Sequence, residues 1–564
     1  MARNYVGILI YSLEGDKRSL NFSLPGESED QSVKIIGTTL QSSGNGGDQP
    51  EPRIVRLTIN PKLKIRIEKL QIILPKGVSK KANFFSNGYQ SWTESREYAS
   101  YERQKPMRRV LSYWIKKYRL RFFGDEYFSG NFYKTFEVFS YTYTYIREPG
   151  SDKVFFLGSL SEGDSFTLFA KGKLKEEDYL LFKLSREERK SRCLIIERDC
   201  SGFSVHEPWC GLHFIEFTSD LQEAFKIYAR QWGIHNKPTP RSASAGRRDC
   251  ITGWTSWYNY FGKVTERDVL KVLNFYSDNN IPLDLFQIDD GWQTAVGDWK
   301  SVSAKFPSGM KNLANKIRNA GMEPGLWLAP FIAEEGSELF KNNPSWFLKD
   351  KTGNFVEAGN NPFNWSGIFY PLDMNNRDVK DYLREIFSLV VDHWGFTVLK
   401  LDFLYAAAIN PEEGKLRGKL MSEAMDFIYS CTRGAKILGC GVPLGTVFNK
   451  IDYCRVGSDV ALLWEDHRLK LLRYKERVST INSITNTLYR SPLNNLFFLN
   501  DPDVYILREE NQKMSWEQRK SLFLINQIFG TLLLTSDDPS NYGKDSMNLY
   551  LSQFPCRKKK IESF

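Results

Sequence analysis

Histidine is scarce in this chain, with five residues in 564, and its eight cysteines are dispersed with no Cys-x-x-Cys pair. Without closely spaced thiol and imidazole groups a structural zinc site is not expected. Also missing is any apolar stretch of about 18 residues, the length a membrane helix requires. The apolar run Tyr5–Tyr11 is short and leads into Glu14, Asp16 and Lys17 rather than a small-residue cleavage site, so no signal peptide is expected. These absences predict a soluble, cytoplasmic protein with no membrane partner. Low-complexity segments and short internal repeats are absent too. Lys and Arg total 77 against 67 acidic residues, for a net charge of +10. They never form a basic stripe interleaved with aromatics, which argues against a nucleic-acid partner. The run Arg557-Lys558-Lys559-Lys560 reads as a solvated end.

What the chain does have is aromatic residues, at 14% with 14 tryptophans. Ring faces pack well on the C–H faces of sugars, although most such rings belong to a core. At 564 residues the chain also exceeds what one hydrophobic core of roughly 250–300 residues can organise, so two or three domains are expected.

Up to about residue 240 the pattern has period two. In Ile54-Val55-Arg56-Leu57-Thr58-Ile59 and Leu63-Lys64-Ile65-Arg66-Ile67-Glu68 apolar and polar residues alternate, as half-buried strands require. Thr38–Pro52, rich in Gly, Ser and Gln, reads as a loop between strands. Tyr141-Thr142-Tyr143-Thr144-Tyr145 continues the strand pattern, and an antiparallel β-sandwich over residues 1–240 is predicted. Past Lys237-Pro238-Thr239-Pro240 short apolar strands alternate with helical stretches, the mark of parallel βαβ units. Eight strands are expected: Thr252–Tyr258, Leu283–Asp289, Pro324–Ala329, Thr397–Asp402, Lys436–Cys440, Tyr453–Gly457, Leu496–Leu499 and Leu532–Thr535. Eight closes a (β/α)8 TIM barrel, here over residues 241–540, with 541–564 a short tail. Between the first two strands Thr265 is positioned to cap a helix whose Val269, Val272, Leu273 and Tyr276 share one face.

Barrel enzymes build their sites at the carboxyl ends of the strands. In the fourth predicted strand Lys400 and Asp402 share the inward parity while Leu399, Leu401 and Phe403 face the outer helices. An internal ion pair is the bland reading, but it is costly to bury for stability alone. In the sixth, Tyr453, Arg455, Gly457 and Asp459 share a parity, bringing Arg455 and Asp459 to the same mouth from the opposite wall. Carboxylates on facing walls roughly 5–5.5 Å apart are the requirement of a retaining glycosidase. The second strand ends in Asp289 and Asp290, suited to sugar hydroxyls, though Asp290 is equally suited to capping a turn. Trp257 in the first strand and Trp327 in the third are candidate sugar platforms, and isolated tryptophans are more often core.

With these residues in view the chain resembles the α-galactosidases of glycoside hydrolase family 36. The resemblance runs through Gly253-Trp254-Thr255-Ser256-Trp257-Tyr258, Gln287-Ile288-Asp289-Asp290, Trp327-Leu328-Ala329-Pro330-Phe331, Lys400-Leu401-Asp402-Phe403, Leu438-Gly439-Cys440-Gly441, Arg455-Val456-Gly457-Ser458-Asp459 and Leu499-Asn500-Asp501-Pro502-Asp503. It extends more weakly to Asn87-Gly88-Tyr89-Gln90-Ser91-Trp92. The resemblance implies a galactosidase with Asp402 as nucleophile and Asp459 as acid and then base. It implies that Asp289 and Asp290 hold O4 and O6 of galactose, and that Lys400 and Arg455 bind ring hydroxyls. Cys440 would lie beside the sugar, Trp257, Tyr258 and Trp327 would line the pocket, and Trp92 would reach in from the amino-terminal domain. The implied substrates are oligosaccharides such as melibiose or raffinose, with neither metal nor organic cofactor. Two departures stand out. Tyr89 stands where such proteins often carry tryptophan, and the short tail replaces their carboxy-terminal β-domain. α-N-Acetylgalactosaminidase and α-galactosyl transferase activities are the near alternatives, and an inactive sugar-binding protein is the alternative from another class.

Overall fold

The computed structural model describes residues 4–41, 51–108, 113, 128–129, 131–174, 182, 184–188, 191–237, 250–409, 414–432 and 434–556. Two antiparallel sheets form its amino-terminal half. One runs Asp16–Leu24, Tyr5–Leu13, Ile65–Leu74, Cys193–Arg198, Thr167–Gly172, Val138–Tyr141, with Phe203–Val205 also against Ile65–Leu74. The other runs Gly26–Glu29, Val33–Gln41, Arg53–Pro61, Trp209–Asp220, Lys153–Ser159, Tyr143–Arg147, Asn83–Ser86, Arg96–Tyr98. Leu9, Ile67 and Leu70 from the first sheet and Val55, Leu57 and Ile59 from the second join one buried cluster, so the alternating residues of both sheets share a core.

Three local expectations need correction. Thr38 to Gln41 is strand, not loop, paired residue by residue with Arg56 to Arg53, while 42–50 lie outside the described residues. Leu63 is half exposed and precedes its strand, which begins at Ile65. Tyr141 and Tyr145 lie in different sheets. Thr142, at φ 70°, turns the chain between them, donating its N–H to Thr167 and accepting one from Ser159. A left-handed residue breaks the strand where the side-chain pattern alone runs on.

The helix Leu221–Asn236, capped by the Asp220 side chain on the Glu223 N–H, leads out of this half. The predicted domain junction near residue 240 falls in 238–249, outside the described residues. Beyond it lies a curled nine-stranded sheet whose paired neighbours are all parallel. Its order is Leu499–Asp501, Tyr453–Arg455, Lys436–Gly439, Val398–Leu401, Glu323–Leu328, Leu285–Ile288, Ile251–Thr255, Leu532–Thr535, Val504–Tyr505. The Thr531 N–H donates to the Asn500 carbonyl at 2.9 Å, bringing the two flanks of the sheet together. Between the strands Ile251–Thr255 and Leu285–Ile288, Thr265 and Asp268 form a reciprocal cap. Val269, Val272, Leu273 and Tyr276 of that helix are all buried.

Two strand assignments shift. Trp257 and Tyr258 do not extend the first strand but open a short helix, Trp257–Tyr260. The strand expected at Leu496–Leu499 runs instead from Leu499 to Asp501, because the apolar Phe497 is drawn out to stack on Phe448 with ring centroids 3.9 Å apart. A helix at Lys544–Leu551 lies within the predicted tail, with buried Tyr550 meeting Tyr276. Cys250 and Cys556 form a disulfide that their distant spacing in sequence does not reveal.

Among the described residues no helix is long and apolar enough to cross a membrane, and no group of three or more metal-ligating side chains is assembled.

Candidate active site

The carboxyl ends of the parallel strands open on a cavity of about 880 Å3. Asp289, Asp290, Lys400, Asp402 and Asp459 reach it, with the rings of Trp92, Trp257, Tyr258 and Trp327. Register explains the convergence: Trp327 lies opposite Lys400 in the ladder, and the Asp402 N–H donates to the Leu328 carbonyl at 2.8 Å. Immediately after Asp402 the chain turns sharply, since Phe403 has φ 53°. A bulky residue in that left-handed region is strained and is held there by its surroundings. The turn points the Phe403 N–H at Asp402 Oδ1 (2.9 Å), while the Trp327 indole N–H donates to Oδ2 (3.0 Å). Two donors, one on a neighbouring strand and one in the turn after Asp402, thus fix its carboxylate.

Asp459 has different surroundings. It is ion-paired with Arg455 at 3.0 Å, yet 36% of its side chain stays exposed to the cavity. Burial pushes its carboxyl above the usual range, the cations of Arg455 and Lys400 work against that push, and the negative charge of Asp402 reinforces it.

Asp289 and Lys400 form a buried pair at 2.8 Å. Gln287 and Thr255 donate to the same Asp289 oxygen, at 2.9 and 3.2 Å. Burial opposes the Lys400 charge, but Asp289 outweighs it and the ammonium is held above its ordinary value. Asp290 accepts from Gln293 at 2.6 Å and from the Trp365 indole at 2.8 Å. Burial lifts its carboxyl to about 6 despite those donors, with help from neighbouring Asp289.

Two predicted sugar contacts sit behind the cavity wall. Arg455 is 2% exposed, and its guanidinium is shared among Asp459, Asp501 (3.0 Å) and Asp503 (2.9 Å). Cys440 is buried beneath Trp92, whose indole N–H points at its sulfur from 3.2 Å. Burial, and then the charge of Asp402, raises that thiol well above its ordinary value, so it is a neutral packing group.

Several participants escaped sequence reading. Asp501 and Asp503 hold Arg455, and Asp503 also accepts from the Tyr258 hydroxyl and from the Val460 N–H beside Asp459. They stand in the quoted Leu499–Asp503 segment, but only a correctly placed strand reveals what they touch. Trp365 comes from an excursion between the third and fourth strands, which carries its own small antiparallel sheet of Ile332–Glu334, Gly359–Asn360 and Ile368–Pro371.

The roof comes from the amino-terminal half. The Ser91 N–H donates to the Val442 carbonyl (2.9 Å), and Gln90 and Thr93 both donate to Glu476, at 2.6 and 3.0 Å. Gly441, at φ 60°, leaves room for Trp92, since a Cβ there would lie 2.8 Å from the indole. Arg490, fully buried, donates to the Ser91, Gln90 and Val456 carbonyls and to the Asn87 side chain.

Residues 227–424 match the family model described as Melibiase. Over that span, about a third of the chain, it is similar to the melibiases, a family of glycoside hydrolases. The chain is 27% identical over 159 residues to α-galactosidase AgaA of Geobacillus stearothermophilus, an alignment covering 27% of this chain and 20% of that one. To an α-galactosidase of Escherichia coli it is 36% identical over 132 residues, covering 21% and 17% respectively. These alignments span only about a fifth of the relatives' length. Family resemblance in three dimensions reaches further. The α-galactosidase TtGalA of Thermus thermophilus, solved with p-nitrophenyl α-D-galactopyranoside, superposes with a TM-score of 0.69 at 26% identity, over 92% of this chain and 95% of that one.

Proposed function

We propose that this protein is a retaining α-galactosidase that removes terminal α-linked galactose from galactosides. The observation that carries the proposal is two carboxylates in one cavity with unlike surroundings, Asp402 pinned by two N–H donors and Asp459 pushed toward its protonated form. A nucleophile and an acid differ in this way. On this reading residues 1–240 are a β-sandwich, 241–540 a closed (β/α)8 barrel, and 541–564 a short appendage.

Asp402 attacks C1 as Asp459 protonates the departing glycosidic oxygen, and a galactosyl ester of Asp402 forms through an oxocarbenium-like transition state. Asp459, now ionised, takes a proton from water, which displaces Asp402 and releases galactose with its α configuration. Asp289 and Asp290 accept hydrogen bonds from ring hydroxyls, and Lys400 donates to them. Arg455 acts indirectly, orienting Asp459 while Asp501 and Asp503 share its charge. Oligosaccharides such as melibiose and raffinose are the proposed substrates. The TtGalA relative has also been solved with stachyose. A second reading, removal of an amino-substituted galactose, is favoured by 25% identity over 182 residues to an A type blood α-D-galactosamine galactosaminidase of Flavonifractor plautii. Comparing aryl α-galactoside with its N-acetyl analogue separates the two.

The test is azide rescue. Asp402→Gly should lose hydrolysis and recover with azide as β-galactosyl azide, whereas Asp459→Gly should yield the α-azide. An α-azide from the first variant would overturn the nucleophile assignment.

A further inference from the structure

The floor of the cavity is densely charged, whereas its mouth sets several apolar side chains beside only Asp466, Arg468 and Glu476. Among the described residues ten large apolar side chains stand substantially exposed, and three of them line this cavity: Phe363 at 77%, Leu471 at 53% and Val478 at 45%. Exposed apolar side chains gathered on one concavity, rather than scattered singly, mark a place that takes an apolar ligand. Phe363 comes from the excursion that carries Trp365, and Leu471 and Val478 from the segment after Asp459, so two walls contribute. Leu469 and Leu472 extend the second wall. The nearby Asp466 carboxylate is occupied in capping its own helix, accepting from the Arg468 and Leu469 N–H groups at 2.9 Å. At about 880 Å3 the cavity also lies near the top of the roughly 300–1,000 Å3 that enclose drug-sized ligands, more than one hexose fills.

We infer that the mouth is a subsite that takes an apolar aglycone, an alkyl or aryl group carried on the glycosidic oxygen, in preference to the second sugar that melibiose or raffinose would place there. The inference rests on the α-galactosidase reading of the floor. The galactosyl ring occupies the charged floor, and the aglycone lies between Phe363 on one wall and Leu471 and Val478 on the other.

Methyl and hexyl α-D-galactosides test it, because the two share a leaving-group chemistry and differ only in apolar length. Each buried methylene contributes enough that even partial burial of the longer chain should raise kcat/KM about tenfold over the methyl compound. Phenyl α-D-galactoside as a third substrate tells an aryl preference from an alkyl one. The combined variant Phe363→Ser, Leu471→Ser, Val478→Ser should bring the hexyl-to-methyl ratio close to one. Equal kcat/KM for the two compounds in the native enzyme overturns the inference, and so does a ratio that survives the combined variant. Raffinose outperforming the hexyl compound, with its own turnover lowered by the same variant, would make the mouth a sugar subsite instead. Absence of turnover on every galactoside would instead count against the α-galactosidase reading. Calorimetric titration of methyl and hexyl galactosides onto Asp402→Asn then still decides the subsite by the ratio of affinities.

Discussion

Replacing Arg490 by methionine tests whether the roof of the site is held by one buried cation. The guanidinium donates four hydrogen bonds, but its four acceptors are not equally dependent on it. The Gln90 carbonyl also accepts from the Thr93 N–H, and the Asn87 side chain from the Ser95 hydroxyl. The Ser91 and Val456 carbonyls have no other donor among the described residues. Methionine fills similar space and leaves those two carbonyls buried and unsatisfied, at about 1–3 kcal/mol each. Part of that loss is returned because the buried charge is itself expensive: burial pulls the Arg490 guanidinium down to about 10. The net destabilisation is therefore about 2–4 kcal/mol. At about 1 °C per kcal/mol for a chain of this length, the thermal midpoint should fall by roughly 2–4 °C. Since Ser91 neighbours Trp92, KM for an aryl α-galactoside should rise several-fold while kcat changes less. Differential scanning calorimetry and steady-state kinetics give both numbers. An unchanged midpoint together with an unchanged KM would refute the reasoning.

Four other outcomes follow from the site. Asp503→Asn removes one of the negative charges that neutralise Arg455, leaving more of that cation for Asp459. The Asp459 carboxyl should then lose its proton more easily, and the basic limb of the kcat/KM profile should move to lower pH; a limb that stays put, or moves upward, contradicts this. Asp290 sits at about 6, so galactoside affinity should weaken as pH falls through that value and the carboxylate is neutralised. KM measured between pH 5 and 8 in wild type and in Asp290→Asn checks it, the variant lacking the inflection. Gly441→Ala forces a Cβ against the Trp92 ring and places alanine at φ 60°, a conformation costing about 1–2 kcal/mol. Lower thermal stability and a raised KM are expected together, and a variant with normal KM would mean that Trp92 does not need its present position. Trp327→Phe removes one of the two donors to Asp402 while keeping a ring in the wall, so kcat should fall more than KM rises. Pre-steady-state kinetics would locate the loss in the first chemical step.

Much of the architecture is legible because successive side chains of a strand point strictly to opposite faces of the sheet. Lys400 and Asp402 alternate with Leu399 and Leu401, and that alternation alone puts both polar side chains on one face, close to the carboxyl end of the strand. The Thr265 cap and its buried helix face are legible for the same reason, being local. What was not legible depends on partners distant in sequence. Leu496-Phe497-Phe498 looks more like a strand than Leu499-Asn500-Asp501 does, because nothing local says that Phe497 has a ring waiting at Phe448. Misplacing that strand hid Asp501 and Asp503, and with them the reason Arg455 lies behind the wall. Thr142 could not announce that it turns between sheets, since the tyrosines on either side keep an even rhythm. Trp365 lay in an excursion with no repeating pattern to read.

The docking of Ser91 against Val442, with Arg490 clasping the same loop, has a consequence for how the protein comes into being. The ribosome delivers Trp92 some four hundred residues before Arg490, so the Ser91 loop emerges long before the side chain that clasps it. Until the later segment arrives there is no enclosed chamber for a sugar, whatever the state of either half. A nascent chain that has not reached Arg490 therefore lacks this roof contact, and the onset of turnover would time the moment at which it forms.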